Sequence, residues 1–354
     1  MNFQNVMAAH KATAGYVHKT PIITSNALQK LSNHEEVILK CENLQRTGCY
    51  NLRGVMYHVI CSKQLDLGIN HFVTHSTGNH GLALAHAAFS FDATGHVIVP
   101  QDTPSVVINS LKYYNGEVHR CGPSKEDRIR LIQKVMDDNN VSNRKSGTNS
   151  CVYVHAQDKA IIAGNGTAGM ELMLQTDGRL DAVIVPASGG TLLAGVAVAV
   201  KVMKPNIAVF GAECVAATDP MYEFEHGSAS PDVACEDTEP NGLGVAQTAA
   251  EKSVDTLRQE RKNRVSEFST PFSPLVAQCV ESHVDGVLKV TEAQVRHAFR
   301  FVYERCKIVI DFDAATAVAA LVARPEVLQR YRRIGILLTG GNVELEKIPH
   351  LARL

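Results

Sequence analysis

Short apolar, β-branched runs alternate along this chain with longer amphipathic stretches. Val37–Cys41, Phe72–Thr74, His96–Val99, Val152–Val154, Ala182–Val185, Ile207–Phe210 and Ile336–Leu338 read as strands. Between them, Asn51–Lys63, Leu82–Ser90, Thr103–Tyr114, Lys159–Gln175 and Leu192–Met203 read as helices. The strands are short, largely apolar and mostly not alternating, the pattern of strands buried on both faces. Strand-helix alternation of this kind predicts an α/β fold with mainly parallel sheets flanked by helices. Two polar stretches, Asp137–Ser150 and Ala249–Pro274, interrupt the pattern. Neither reads as a linker, because the alternation resumes after each. No internal repeat is visible.

Ligands of parallel α/β sheets sit at the carboxyl ends of the strands. Three strand ends here run into small, polar turns: Ser76–Gly81, Ser188–Thr191 and Thr339–Asn342. They are expected to converge on one site. Ser188-Gly189-Gly190-Thr191 lies between a strand and a helix. It is either a phosphate cup, using free backbone N–H groups at a helix N-terminus, or a tight turn without a ligand. It has neither the P-loop lysine nor the dinucleotide spacing. Ser76-Thr77-Gly78-Asn79-His80-Gly81 offers hydroxyls, an amide and a helix start, which suit a carboxylate; the plainer alternative is a Ser/Thr N-cap.

Composition narrows the function classes. The chain has 354 residues, 35 Lys+Arg against 36 Asp+Glu, and a net charge of -1. That balance gives no electrostatic footprint for nucleic acid or an anionic membrane surface. No apolar run reaches the ~20 residues of a membrane helix, and the first residues lack a secretory pattern. Nine cysteines without a CxxC read as reduced, mostly buried thiols of a cytoplasmic protein. Fifteen histidines invite a zinc search, but there is no HExxH and no Cys/His ladder.

The ordered segments HKTPIITSNAL, LKCENLQRTGCYNLRGV, VTHSTGNHGLALAHAA, IIAGNGTAGMEL, VPASGGTLLAGVA, GAECVAATD, VYERCKIVI and LLTGGNVEL carry a resemblance spanning nearly the whole chain. The chain resembles the serine racemase and serine/threonine dehydratase family of fold-type II (tryptophan synthase β-like) pyridoxal-phosphate (PLP) enzymes. The resemblance implies a large PLP-binding domain from residues 1–69 and 150–354 and a small mobile domain from 70–149. It also implies a homodimer acting on serine or threonine. The implied chemistry is α-proton removal, followed by β-elimination to pyruvate or 2-oxobutanoate plus ammonia, or by reprotonation on the opposite face.

Residue by residue, the resemblance gives Ser188, Gly189, Gly190, Thr191 and Leu192 as the PLP phosphate loop, with two glycines where the family usually has four. Tyr50 flanks the cofactor, Asn79 meets the ring hydroxyl, and Thr339 faces the ring nitrogen. A neutral hydroxyl at Thr339 leaves that nitrogen unprotonated, which suits elimination and racemisation more than transamination. Ser76, Thr77, Gly78 and His80 correspond to the substrate carboxylate loop. Arg128 stands where an arginine reaches the substrate; a solvated helix charge is its alternative. Glu213, the Ala217 carbonyl and Asp219 correspond to a site for Mg²⁺, Mn²⁺ or Ca²⁺; apart from the resemblance they read as loop and strand-end acids. Arg46, Thr47, Tyr114, Lys307 and Asn342 match nucleotide contacts by position or type. Leu82 replaces a polar residue there, so ATP binding is implied only in part.

One departure stands out. The family pattern Ser-Phe-Lys-x-Arg-Gly reads here as Cys49-Tyr50-Asn51-Leu52-Arg53-Gly54. Asn51 occupies the Schiff-base lysine position, and an amide is neither nucleophilic nor basic near neutral pH. Thr77 keeps a hydroxyl where the racemases place their second acid/base group. Two readings follow: a racemase or dehydratase by descent, or a catalytically impaired protein serving as a PLP- or amino-acid-binding regulatory subunit.

Overall fold

Strands that are largely apolar on both sides need cover on both faces, and a computed structural model shows that cover. It describes residues 1–76, 78–140, 150–215, 265–269 and 271–351. Thr77, Ala217 and Asp219 of the expected site lie outside the described residues, as does most of 249–274.

The strands are β1 (Ile22–Thr24), β2 (Glu36–Cys41), β3 (His71–His75), β4 (Thr94–Pro100), β5 (Glu117–Cys121), β6 (Cys151–Tyr153), β7 (Ala182–Pro186), β8 (Ala208–Val215), β9 (Gly286–Thr291) and β10 (Arg333–Leu338). The main helices are α1 (Phe3–Thr13), α2 (Asn26–Ser32), α3 (Asn51–Leu65), α4 (Asn79–Phe89), α5 (Ser105–Tyr113), α6 (Lys125–Asn140), α7 (Lys159–Gln175), α8 (Thr191–Met203), α9 (Pro274–His283), α10 (Glu292–Phe301) and α11 (Phe312–Ala323). They flank a six-stranded sheet, ordered β1-β2-β10-β7-β8-β9, and a four-stranded sheet, ordered β5-β4-β3-β6. Every pairing is parallel except that of β1 with β2. The last strand, β10, sits between β2 and β7, so the larger sheet draws on both ends of the chain.

Alternate residues of the larger sheet enter two separate cores. Val37, Leu39, Ile184, Phe210 and Ile336 pack with α10 and α11. Ile38, Val183, Val185, Val209 and Leu337 pack with α7, α8 and α9. This is why the central strands are largely apolar on both faces. The smaller sheet buries Phe72 beneath α3 and α4, and Val73 and Ile98 beneath α6.

Helix α8 is buried on every side from Thr191 to Val200, as expected of a helix apolar all round. It approaches α7 closely at Gly195. A Cβ there would lie 2.3 Å from the Ile162 carbonyl oxygen and 2.6 Å from the Gly166 nitrogen. Both are backbone atoms that no rotamer change can move. Gly195→Ala is therefore expected to destabilise the protein by about 1–3 kcal/mol, read as a lower urea midpoint with an unchanged slope. An unchanged midpoint would show that the two helices separate freely.

Candidate functional site

The turn before α3 docks onto the end of β10. Tyr50 N–H donates to the Thr339 carbonyl at 3.0 Å, and Gly341 N–H donates to the Gly48 carbonyl at 2.9 Å. The Asn342 amide then ties in α4, donating at 2.8 Å to both the Thr47 carbonyl and Asn79 Oδ1. Two of the three expected turns thus meet directly. The third is reached through α7. Asn165 Nδ2 donates to Thr191 Oγ1 at 3.2 Å, while Asn165 Oδ1 lies against Gly54 in the first turns of α3. The helix starts at Asn51 and Thr191 are in this way set around one buried amide.

Gly190, the N-cap of α8, has φ +77°, which favours glycine, and a Cβ would strike Phe272 and Val276 at 2.7 Å. Ser188 and Gly189 are half-buried beside it, and Thr191 and Leu192 are buried. At the opposite end, Thr339 Oγ1 is buried and has no hydrogen-bond partner among the described residues. A buried hydroxyl left unmatched is costly unless something bonds to it. Asp311 lies beneath this turn. Its carboxylate accepts from Ala314 N–H at 2.9 Å and from Asn79 Nδ2 at 3.4 Å, and burial raises its pKa. Sequence reasoning missed Asp311, although an Asp before the helical run FDAATAV is a recognisable N-cap. Cys49, fully buried alongside, has its thiol pushed up to about 12, chiefly by desolvation.

Asn51 is the first residue of α3 and half-buried. The nearest lysine in the sequence, Lys40, has no donor to spare. Its three N–H groups go to the Thr20 carbonyl at 2.8 Å, Glu171 at 2.8 Å and Gln175 at 2.9 Å. Burial lowers its pKa, with Glu42 and Glu171 opposing. The same cluster holds Arg53, wholly buried, bonded to Glu42 at 2.6 and 2.9 Å and to Glu171 at 2.8 Å through two nitrogens. Burial alone would raise the Glu171 pKa, but the Arg53 and Lys40 contacts outweigh it and hold it low.

The expected carboxylate loop begins at the end of β3. Ser76 is buried; its N–H donates to the Ile98 carbonyl at 3.0 Å and its Oγ accepts from Gly78 N–H at 3.1 Å. Gly78 caps α4, and His80 is buried in its first turn. Arg128 is 6% exposed, which corrects its alternative as a solvated helix charge. Its neighbours include Tyr153 and Cys121, and desolvation lowers its pKa. Tyr153 in turn bonds His75 at 2.9 Å, next to Ser76.

Glu213, near the end of β8, accepts from the Ser269 N–H at 3.0 and 3.1 Å and from its hydroxyl at 3.2 Å. Of the expected nucleotide contacts, Thr47 and Asn342 join through a hydrogen bond, and Tyr114 OH donates to the Arg46 carbonyl at 3.1 Å. Lys307 is exposed and bonds the Glu304 carbonyl of its own turn.

Comparison with known proteins gives a consistent result. The family model described as "Pyridoxal-phosphate dependent enzyme" matches residues 14–340. A serine racemase of Dictyostelium discoideum is 32% identical, over 99% of this chain and 98% of that protein. A beta-hydroxyaspartate dehydratase of Paracoccus denitrificans is 28% identical, over 98% of each chain. The crystal structure of the Dictyostelium serine racemase superposes with a TM-score of 0.76 at 30% identity, covering 98% of this chain and 99% of that one. No helix among the described residues is long and apolar enough to cross a membrane.

Proposed function

Because the chain belongs to the pyridoxal-phosphate-dependent enzyme family, in its serine racemase group, we propose that it binds PLP at the carboxyl ends of the larger sheet and acts there on small β-hydroxy amino acids, serine before threonine. Thr339 carries the proposal: its hydroxyl, buried and without a partner among the described residues, is what a neutral ring nitrogen would satisfy. The start of α8, where Gly190 is the N-cap, supports a phosphate there, since backbone N–H groups and the helix dipole favour an anion. Both relatives named above are called after β-hydroxy amino acids, serine and β-hydroxyaspartate.

Bound PLP would supply an electron sink for the pair left when the α-proton departs. The chain's own groups do the rest. Backbone N–H groups of 188–191 and the α8 dipole hold the phosphate. Asn79 keeps its second amide hydrogen for the ring hydroxyl. Ser76, Gly78, His80 and the start of α4 receive the substrate carboxylate, with Arg128 as a buried cation nearby. The Thr77 hydroxyl moves a proton on one face. For serine, loss of the α-proton and of the β-hydroxyl, as water, followed by hydrolysis at nitrogen, yields pyruvate and ammonia. Reprotonation on the opposite face would yield the enantiomer. Asn51 cannot serve the other face as a base. The regulatory-subunit alternative gains no support from the relatives, which are named for reactions. The small mobile domain, 70–149, belongs to this reading; β3, β4 and β5 lie within it, and β6, which pairs with β3, begins just past its boundary. The homodimer belongs to the same reading.

Without a lysine at 51, PLP is expected to bind reversibly, and equilibrium dialysis checks this. The cofactor should be stripped by dialysis alone, better retained with serine, whose amine and carboxylate add contacts, and weakened by salt. PLP that survives dialysis and leaves only on denaturation would place it on another lysine. The Mg²⁺-class site also belongs to the proposal. Ser269 leaves the Glu213 carboxylate capacity for a cation, since two oxygens offer about four acceptor positions. Saturating Mg²⁺ should stabilise by about 2.7 kcal/mol at a hundredfold excess over Kd. Thermal melts of Glu213→Ala should lose that increment; an equal increment would put the ion elsewhere.

A further inference from the structure

The smaller sheet carries a cluster that the proposed chemistry does not use. In the parallel register, His96 stands beside Glu117, and Ile98 beside His119. Likewise Val73 stands beside His96. Residues 71, 73, 96, 98, 117 and 119 therefore share one sheet face. His96 is buried, and both its nitrogens are engaged. Its Nδ1 lies 3.0 Å from His119 Nε2 and 3.2 Å from Glu117 Oε2. Its Nε2 lies 3.0 Å from His71 Nδ1. One ligand atom each from His96, Glu117 and His119 falls within 4.8 Å of the others.

We infer that His96, Glu117 and His119 form a binding site for a zinc-class divalent cation, with His71 as the positioning residue behind it. Ligands about 2.0–2.1 Å from a tetrahedral ion stand about 3.3–3.4 Å apart. The separations of 3.0 and 3.2 Å around His96 Nδ1 are within a few tenths of that edge. Two imidazoles and one carboxylate are a ligand set that suits zinc and its neighbours rather than magnesium. The proton arrangement is also self-consistent. With Nδ1 on the metal, the Nε2–H of His96 donates to His71 Nδ1, the outer hydrogen bond that metal-bound imidazoles characteristically make. β5 is the edge strand of its sheet and the Glu117 side chain is 59% exposed, so water can take the fourth position. The ion would clamp β5 to β4 and, through His71, brace β3, which leads into Ser76. This site is distinct from Glu213, which lies on the other sheet.

Co²⁺ serves as the probe, added to the chelator-treated full-length protein. The expected result is one tetrahedral Co²⁺ per chain, read from its intense visible bands and displaced by Zn²⁺; Co²⁺ at an all-oxygen site gives only weak bands. Both His119→Gln and Glu117→Gln should weaken binding about tenfold or more and lose those bands. Their side chains lie partly or largely in solvent, so the fold is retained; far-ultraviolet circular dichroism checks that. Zn²⁺ should raise the melting temperature of the wild type and not of either variant. Absence of tetrahedral bands in the wild type, or bands of equal strength and affinity in both variants, would overturn the assignment.

Discussion

Asn51→Lys is expected to raise pyruvate formation from L-serine by about 10²–10⁴-fold, the usual contribution of a positioned acid/base group. Residue 51 opens α3, whose first turn carries the positive end of the helix dipole. That location disfavours an ammonium and so favours the neutral amine that a nucleophile requires. The surroundings are retained: Tyr50 docks on Thr339, and Asn79 and Asn342 tie the turn to α4. No substitute comes from β2, because every Lys40 donor is committed to Thr20, Glu171 and Gln175. Borohydride treatment followed by peptide mapping should find the cofactor on residue 51 of the variant and on no lysine of the unaltered chain. A folded variant with neither covalent cofactor nor added pyruvate would show that position 51 does not face PLP.

Arg53→Leu is expected to cost about 3–5 kcal/mol, the penalty for stranding a buried charge. Against a total stability of about 5–15 kcal/mol, that abolishes folding or leaves it marginal. Arg53 is wholly buried and bridges Glu42 and Glu171, which would be left with Lys40 as the one cation bonded to them among the described residues. The pH dependence has a definite sign. Glu171 has its folded-state pKa lowered, so its contribution is present above the ordinary carboxylate pKa and is lost as pH falls through the lower folded value. Urea midpoints across pH should therefore decline on the acid side in the wild type. The double variant Arg53→Leu/Glu42→Gln should cost less than the sum of the two single changes, because one stranded charge is removed with its partner. A stability loss under 1 kcal/mol for Arg53→Leu would mean that water reaches the cluster.

The central strands were legible because burial on both faces leaves continuous apolar runs, and Lys159–Gln175 coincides with α7 end to end. The edges were not. β5 reads EVHRC and β9 reads GVLKVT, and neither has the uniform apolarity of a strand packed between layers. Most of α6, KEDRIRLIQKVMDDNN, was hidden by its polarity; only Arg128, Ile132 and Val135 are buried, and the helix runs on to Asn140 where a turn-rich stretch was expected from Asp137. The site divides the same way. The turns Ser76–Gly81, Ser188–Thr191 and Thr339–Asn342 could be picked out because small polar residues follow apolar strands; the separate roles within them are what the resemblance implies. The contacts of Lys40 with Glu171 and of Arg53 with Glu171 span 131 and 118 residues, and only helix packing brings them together. The histidines of β3, β4 and β5 align only once strand register is known.

A crystal structure of the unaltered protein grown with PLP and L-serine would decide whether the cofactor binds here without a lysine bond. It should show the phosphate within hydrogen-bond reach of the backbone N–H groups of 188–191, the ring nitrogen at Thr339 Oγ1, the serine carboxylate at Ser76–His80, and no covalent bond between PLP and any lysine. PLP seated away from Thr339, or joined to a lysine of the chain, would contradict it.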